Sequence, residues 1–199
     1  ADLSGVAGSQ RAGVIKIIVT RGVGARGYRP TAGLSSTRIV SLHPLPDTSS
    51  VELAVRWCET ALSRNPVLAG MKHLNRLENV LAQREWNDAA IGEGLMLDTE
   101  GELVSATAGN VFIGRNETLL TPDLRYCGVR GVMRGEVLRV AAELGIAVSE
   151  EPLWPRDIEE SSEVFITNAV RGIRPVVALD SMQWAHGPLA RKLAAALAA

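Results

Sequence analysis

A lysine attacks a carbonyl only as the neutral amine, so a lysine whose setting favours proton loss is the first residue to weigh. Lys72 follows Ala69-Gly70 and enters a stretch, Met71 to Trp86, in which Leu74, Leu77, Val80 and Leu81 recur at steps of three and four among polar residues. That spacing predicts an amphipathic helix with a Leu/Val stripe as ordinary core. The positive end of a helix dipole, together with partial burial, depresses an amine pKa. Spacing and placement therefore fit an imine-forming lysine near a helix start, and they fit a solvated helix-start lysine as well.

The other chemistry-bearing patterns carry less. Gly22-Val23-Gly24-Ala25-Arg26-Gly27 follows an apolar run, with Asp47 about twenty residues further on, as in a dinucleotide fingerprint. That fingerprint needs a helix opening at the last glycines. Tyr28-Arg29-Pro30-Thr31-Ala32-Gly33 has no helical periodicity, so the run is expected to be a loop. His43, His73 and His186 lie outside paired metal-ligand spacing, and no G-x-S-x-G elbow is present. Cys58 and Cys127 are too few and too far apart for a disulfide framework or a zinc site, which fits a reducing, cytoplasmic setting.

The elements that must position Lys72 are legible from composition. A chain of 199 residues with 46% hydrophobic content can bury a substantial core. Its 21 basic and 22 acidic residues are interspersed, giving a net charge of -1 and no footprint for nucleic acid or an anionic membrane. A small-molecule partner is the expectation. No apolar run approaches the roughly 20 residues of a membrane-spanning helix. Val14–Thr20 and Thr37–Leu42 read as strands around a Gly-rich loop, and Pro44 to Ser50 as a boundary region. GLMLD, ELVSA, NVFIG and TLLTP read as two hairpins. A helix over Val132–Leu144, a short strand at Ile146–Val148, strands at Glu163–Thr167 and Pro175–Leu179, and a terminal helix from Pro188 complete an α+β pattern with a mixed or antiparallel sheet.

The run Asn65-Pro66-Val67-Leu68-Ala69-Gly70-Met71-Lys72-His73-Leu74-Asn75-Arg76-Leu77-Glu78 resembles the cofactor-lysine segment of aminodeoxychorismate lyases. These belong to the branched-chain and D-amino-acid aminotransferase-like group of fold-type-IV pyridoxal-phosphate enzymes. Three further segments resemble the family in the family's order: Thr107 to Phe112, Gly128 to Arg134, and Ile166 to Ala169 followed by Arg174-Pro175-Val176.

The resemblance implies a fold-type-IV α+β architecture, pyridoxal 5'-phosphate as cofactor, and Lys72 as the catalytic residue that holds the cofactor and then shuttles a proton. It implies a phosphate turn at Gly131, Val132 and Met133, a second at Asn168 and Ala169, and a substrate loop in which Arg26 clamps a carboxylate and Tyr28 walls the site. Arginine suits that role by its planar fork, although a solvated loop arginine fits Arg26 as well. Ser105 stands where the family usually has a Glu that pairs with the pyridine nitrogen, and a hydroxyl there leaves a weaker electron sink. The resemblance further implies residues 1–62 as what remains of a small N-terminal domain, residues 63–199 as the larger cofactor-binding domain, and a homodimer. About seventy residues that precede the equivalent of Val14 in the family are expected to be missing from the first domain.

The implied activity is cleavage of 4-amino-4-deoxychorismate to 4-aminobenzoate and pyruvate, a step toward folate. Branched-chain or D-amino-acid transamination is the enzymatic alternative. A truncated, inactive chain acting as a binding or dimerisation module is the non-enzymatic one.

Overall fold

β-branched residues build the first element pair of this computed structural model, which describes residues 12–47 and 52–198. β1 (Val14–Thr20) pairs antiparallel with β2 (Thr37–His43) from Val14↔His43 to Thr20↔Thr37. Between them the glycine run forms a loop that returns as a strand. Gly22 has φ +97°, and a Cβ there would lie 1.9 Å from the Ser35 carbonyl oxygen, so the glycine serves a tight turn. By contacts the chain divides into Ala1–Asp47 and Thr48–Ala199. Residues 52–62 thus group with the larger unit, and the sequence-based boundary after residue 62 stands as a proposal about the family's domains.

The larger unit is built on a nine-stranded mixed sheet. Its strands are β3 (Leu53–Trp57), β4 (Ile91–Leu97), β5 (Leu103–Ala106), β6 (Asn110–Arg115), β7 (Thr118–Pro122), β8 (Val148–Glu151), β9 (Glu163–Asn168), β10 (Gly172–Leu179) and β11 (Met182–Gln183). They run in the order β5-β4-β3-β10-β9-β6-β7-β8, with β11 beside β10. The expected hairpins β4–β5 and β6–β7 are antiparallel, while β3 joins β10 and β4 in parallel and β8 joins β7 in parallel. The helices are α1 (Leu77–Gln83), α2 (Val132–Glu143), α3 (Pro155–Glu159) and α4 (Pro188–Ala198).

Strand periodicity sorts the core into two layers. Val111, Ile113, Val164 and Ile166 face Leu53, Val55, Leu95 and Leu103. Phe112 and Phe165 point the other way, stack with centroids 5.1 Å apart, and meet Val137, Val140 and Ala141 of α2 and Leu193 of α4. Because both faces of β6 and β9 are covered, these strands read as continuous apolar runs.

α4 is anchored by a distant carboxylate. Buried Glu163 accepts hydrogen bonds from the Leu189 and Ala190 N–H groups, each at 3.0 Å, so it satisfies two of the helix's orphan donors. Glu163→Ala is expected to cost about 2–4 kcal/mol of unfolding free energy, with Glu163→Gln losing less. Denaturant unfolding of the two variants checks this.

Four expectations are corrected. The helix predicted from Met71 begins only at Leu77, because the backbone of Gly70 and the carbonyls of Met71 and His73 are engaged elsewhere. Arg76 Nη2 and Nε donate to Met71 O at 2.8 Å and His73 O at 3.2 Å. Its Leu/Val stripe is also not core: Leu77 and Val80 are 64% and 54% exposed. α1 packs inward through Ala82 and through polar Asn79 and Gln83, which donate to Thr107 O and Thr107 Oγ1. The short strand expected at Ile146–Val148 lies at Val148–Glu151, and that at Pro175 begins at Gly172.

Candidate active site

The segment carrying Lys72 is held by its neighbour two residues earlier. Gly70 donates its N–H to Gly128 O at 3.1 Å and accepts from the Arg130 N–H at 3.0 Å, forming an isolated parallel bridge. Its φ of +81° favours glycine, and a Cβ there would crowd the Arg130 side chain at 3.2 Å. Lys72 lies exposed on an irregular stretch before α1, outside the helix whose dipole was expected to act on it.

The strand-like stretch that grips Gly70 runs directly into the N-terminus of α2. Gly131 is the N-cap, in an extended conformation, and no side chain caps the helix. The first-turn N–H groups of Val132 and Met133 are thus left to an outside acceptor, and helix N-termini receive anions. Asn110, at the start of β6, fixes this turn. Its Nδ2 donates to Val129 O at 2.7 Å and its Oδ1 accepts from the Gly131 N–H at 3.2 Å.

A second turn joins β9 to β10. Asn168 Oδ1 accepts from the Val170 and Arg171 N–H groups at 3.0 and 2.8 Å, closing an Asx-type turn around exposed Ala169. Asn168 Nδ2 donates to Ala108 O at 3.2 Å, which ties this turn to the loop before β6. Thr167, one residue earlier, is buried and its Oγ1 has no hydrogen-bond partner. In the β6–β9 register Thr167 stands opposite Asn110, so both side chains share the face toward Gly131.

The loop before β6 is organised by an acid. Buried Glu93 of β4 accepts from Thr107 Oγ1 and, at 3.3 Å, from the Ala108 N–H. Burial raises the Glu93 pKa above its ordinary value, and the Thr107 and Ala108 bonds only partly oppose this. A raised folded-state pKa means that protonated Glu93 contributes full stability below the unfolded carboxylate value, and that this contribution is lost as pH rises through the folded value. Glu93→Gln keeps an acceptor for both donors and cannot ionise. Its melting temperature is expected to gain on the parent's as pH rises through that window and to hold a constant lead above it. A lead independent of pH contradicts the assignment.

The larger unit therefore brings Lys72, Gly131, Val132, Met133, Asn168 and Ala169 onto one continuous chain of backbone and amide bonds. Ser105 is buried on β5 opposite Met96, two residues before the Glu93-bound loop. Arg26 and Tyr28 lie exposed on the β1–β2 loop of the smaller unit. The thiols take no part: burial pushes Cys58 up to about 12 and Cys127 to about 11, away from the reactive thiolate. Sequence reading passed over the individual roles of Asn110, Thr167 and Glu93. Glu93 had a signal of its own, one acid inside the otherwise apolar strand IGEGLML.

The donor set suits an anionic cofactor: an uncapped helix N-terminus, a buried hydroxyl without a partner, and a glycine whose Cβ would lie 2.4 Å from Asn110 Oδ1. Comparison with known proteins agrees. Residues 2–179 match the family described as amino-transferase class IV. An aminodeoxychorismate lyase of Vibrio harveyi is 32% identical over 189 residues, which cover 90% of this chain and 69% of that protein. The crystal structure of 4-amino-4-deoxychorismate lyase from Pseudomonas aeruginosa superposes with a TM-score of 0.88 at 45% identity, over 93% of this chain and 70% of that one. An aminotransferase from Brucella abortus, solved bound to its co-factor PLP, shares the fold with a TM-score of 0.80 at 20% identity, over 92% and 66%. With the fold-type-IV architecture and dependence on pyridoxal phosphate that this entails, the chain belongs to the class IV amino-transferase family.

Proposed function

We propose that this chain is a pyridoxal-phosphate-dependent lyase that converts 4-amino-4-deoxychorismate to 4-aminobenzoate and pyruvate. The observation that carries the reading is the Gly70–Val129 bridge, which ties the segment two residues before Lys72 to the stretch leading into the α2 N-terminus. The 45% identity to a 4-amino-4-deoxychorismate lyase supports the substrate assignment.

In this proposal the Val132 and Met133 N–H groups and the Asn168–Ala169 turn would hold the phosphate, and Ser105 would be the partner of the pyridine nitrogen. The cofactor, when bound, withdraws electrons from the substrate carbon that bears nitrogen. Lys72 Nζ would hold the cofactor and, as a free amine, would remove the proton from that ring carbon. The carbon–oxygen bond to the enolpyruvyl group breaks, the ring becomes aromatic, and the proton held by Lys72 ends on the departing three-carbon fragment as pyruvate. Arg26 orients the substrate carboxylate by a bidentate contact, and Tyr28 walls the site.

A homodimer and a cytoplasmic setting belong to the same proposal. The dimer is supported by the exposed Leu77, Val80 and Leu81 stripe on α1, since contiguous apolar surface marks contact sites. The setting is supported by two cysteines that stay free of each other. Among the described residues no helix is long and apolar enough to cross a membrane.

Incubation with 4-amino-4-deoxychorismate, with pyruvate and 4-aminobenzoate quantified against amino-group exchange between amino and keto acids, tests the reading. Equimolar pyruvate and 4-aminobenzoate are expected. Keto-acid exchange without 4-aminobenzoate favours the second reading, a branched-chain or D-amino-acid aminotransferase. Neither product favours a binding or dimerisation module.

A further inference from the structure

Asn110 is only 7% exposed, yet its amide makes no bond that its own strand requires. Both ends are used on one turn, Nδ2 toward Val129 O and Oδ1 toward the Gly131 N–H. A flipped amide would set oxygen against carbonyl and N–H against N–H, so the two partners fix its orientation. The fit is close, since any side chain at position 131 would start 2.4 Å from Oδ1. By taking the N–H of the N-cap residue, Asn110 orients the turn so that the next donors, on Val132 and Met133, point outward from the helix start. The unpartnered Thr167 hydroxyl stands beside it on the same face.

We infer that Asn110 is a positioning residue that sets the Gly131–Met133 turn to receive the cofactor's phosphate, acting through the backbone without touching the phosphate itself. The inference rests on the proposed reading of that turn as a phosphate site. Without the side chain, the Val129 carbonyl and Gly131 N–H turn to solvent, and glycine has little stiffness of its own to keep the turn in place.

The effect is specific to the phosphate, and that separates positioning from general support. Dissociation constants for pyridoxal phosphate and for pyridoxal, read from the visible spectrum of the chain, give a preference ratio that overall loosening would not move. Asn110→Ala is expected to reduce that ratio by about tenfold, leaving pyridoxal binding within about twofold of the parent's. Asn110→Asp keeps the acceptor for Gly131, loses the donor to Val129, and adds negative charge beside the turn. It is expected to lose the preference at least as far, with the loss growing as pH rises through the carboxylate range.

A parent preference retained by either folded variant overturns the inference alone, as does equal weakening of both ligands. A parent chain that binds pyridoxal phosphate no better than pyridoxal overturns the phosphate reading, and the inference with it. Melting of the cofactor-free proteins confirms which variants are folded.

Discussion

Lys72→Ala is expected to reduce pyruvate release by at least about 10²- to 10⁴-fold, the usual worth of a positioned proton-transfer group. It should also remove the covalent attachment of cofactor. The side chain is exposed, so the unfolding free energy should stay within about 0.5 kcal/mol of the parent's. That combination separates chemistry from folding. Lys72→Arg should fail equally, because a guanidinium does not lose its proton near neutrality and cannot act as the amine. Added small amines offer a further check, since they can replace the missing nitrogen in solution. Turnover retained by the alanine variant contradicts the assignment, whatever its cofactor content.

Ser105→Glu is the second large effect, and it acts in two directions. The position is buried, opposite Met96 on β4, so in the cofactor-free protein a new carboxylate there is expected to cost about 1–3 kcal/mol. Bound cofactor should return part of that loss, because a pyridine nitrogen that carries a proton gives the carboxylate a partner. The same pairing strengthens the electron sink, which transamination needs more than an elimination that gains an aromatic ring. Amino-group exchange with keto acids should therefore rise relative to pyruvate release. A careful assay that finds no such rise contradicts the role assigned to the hydroxyl at Ser105.

Strand-forming stretches were readable because their physics is local. Val14–Thr20 and Thr37–His43 are β-branched and bounded by a glycine loop, and the hairpins β4–β5 and β6–β7 are joined by short polar turns. The parallel placement of β3 between β4 and β10 was not readable, since it depends on pairing between residues far apart in the chain. The start of α1 was misread for a similar reason. Leu74 and Leu77 fit a helical period, but the Gly70–Val129 bridge and the Arg76 side chain engage the backbone of residues 70–73 outside any helix. Lys72 is picked out by a resemblance, while the helix-dipole argument for it fails because the helix begins only at Leu77. Asn110 lay inside a recognised motif, but its task depends on meeting Val129 and Gly131, which only the folded chain brings to it.

The most direct test of the central claim is the visible spectrum of the chain with added pyridoxal phosphate, followed by borohydride reduction and peptide mass mapping. The chain has three lysines, Lys16, Lys72 and Lys192, so the site of attachment is readily resolved. A reduced phosphopyridoxyl group on Lys72 alone is the predicted result. Attachment at Lys16 or Lys192 in its place, or no stable adduct on any of the three, would contradict the account.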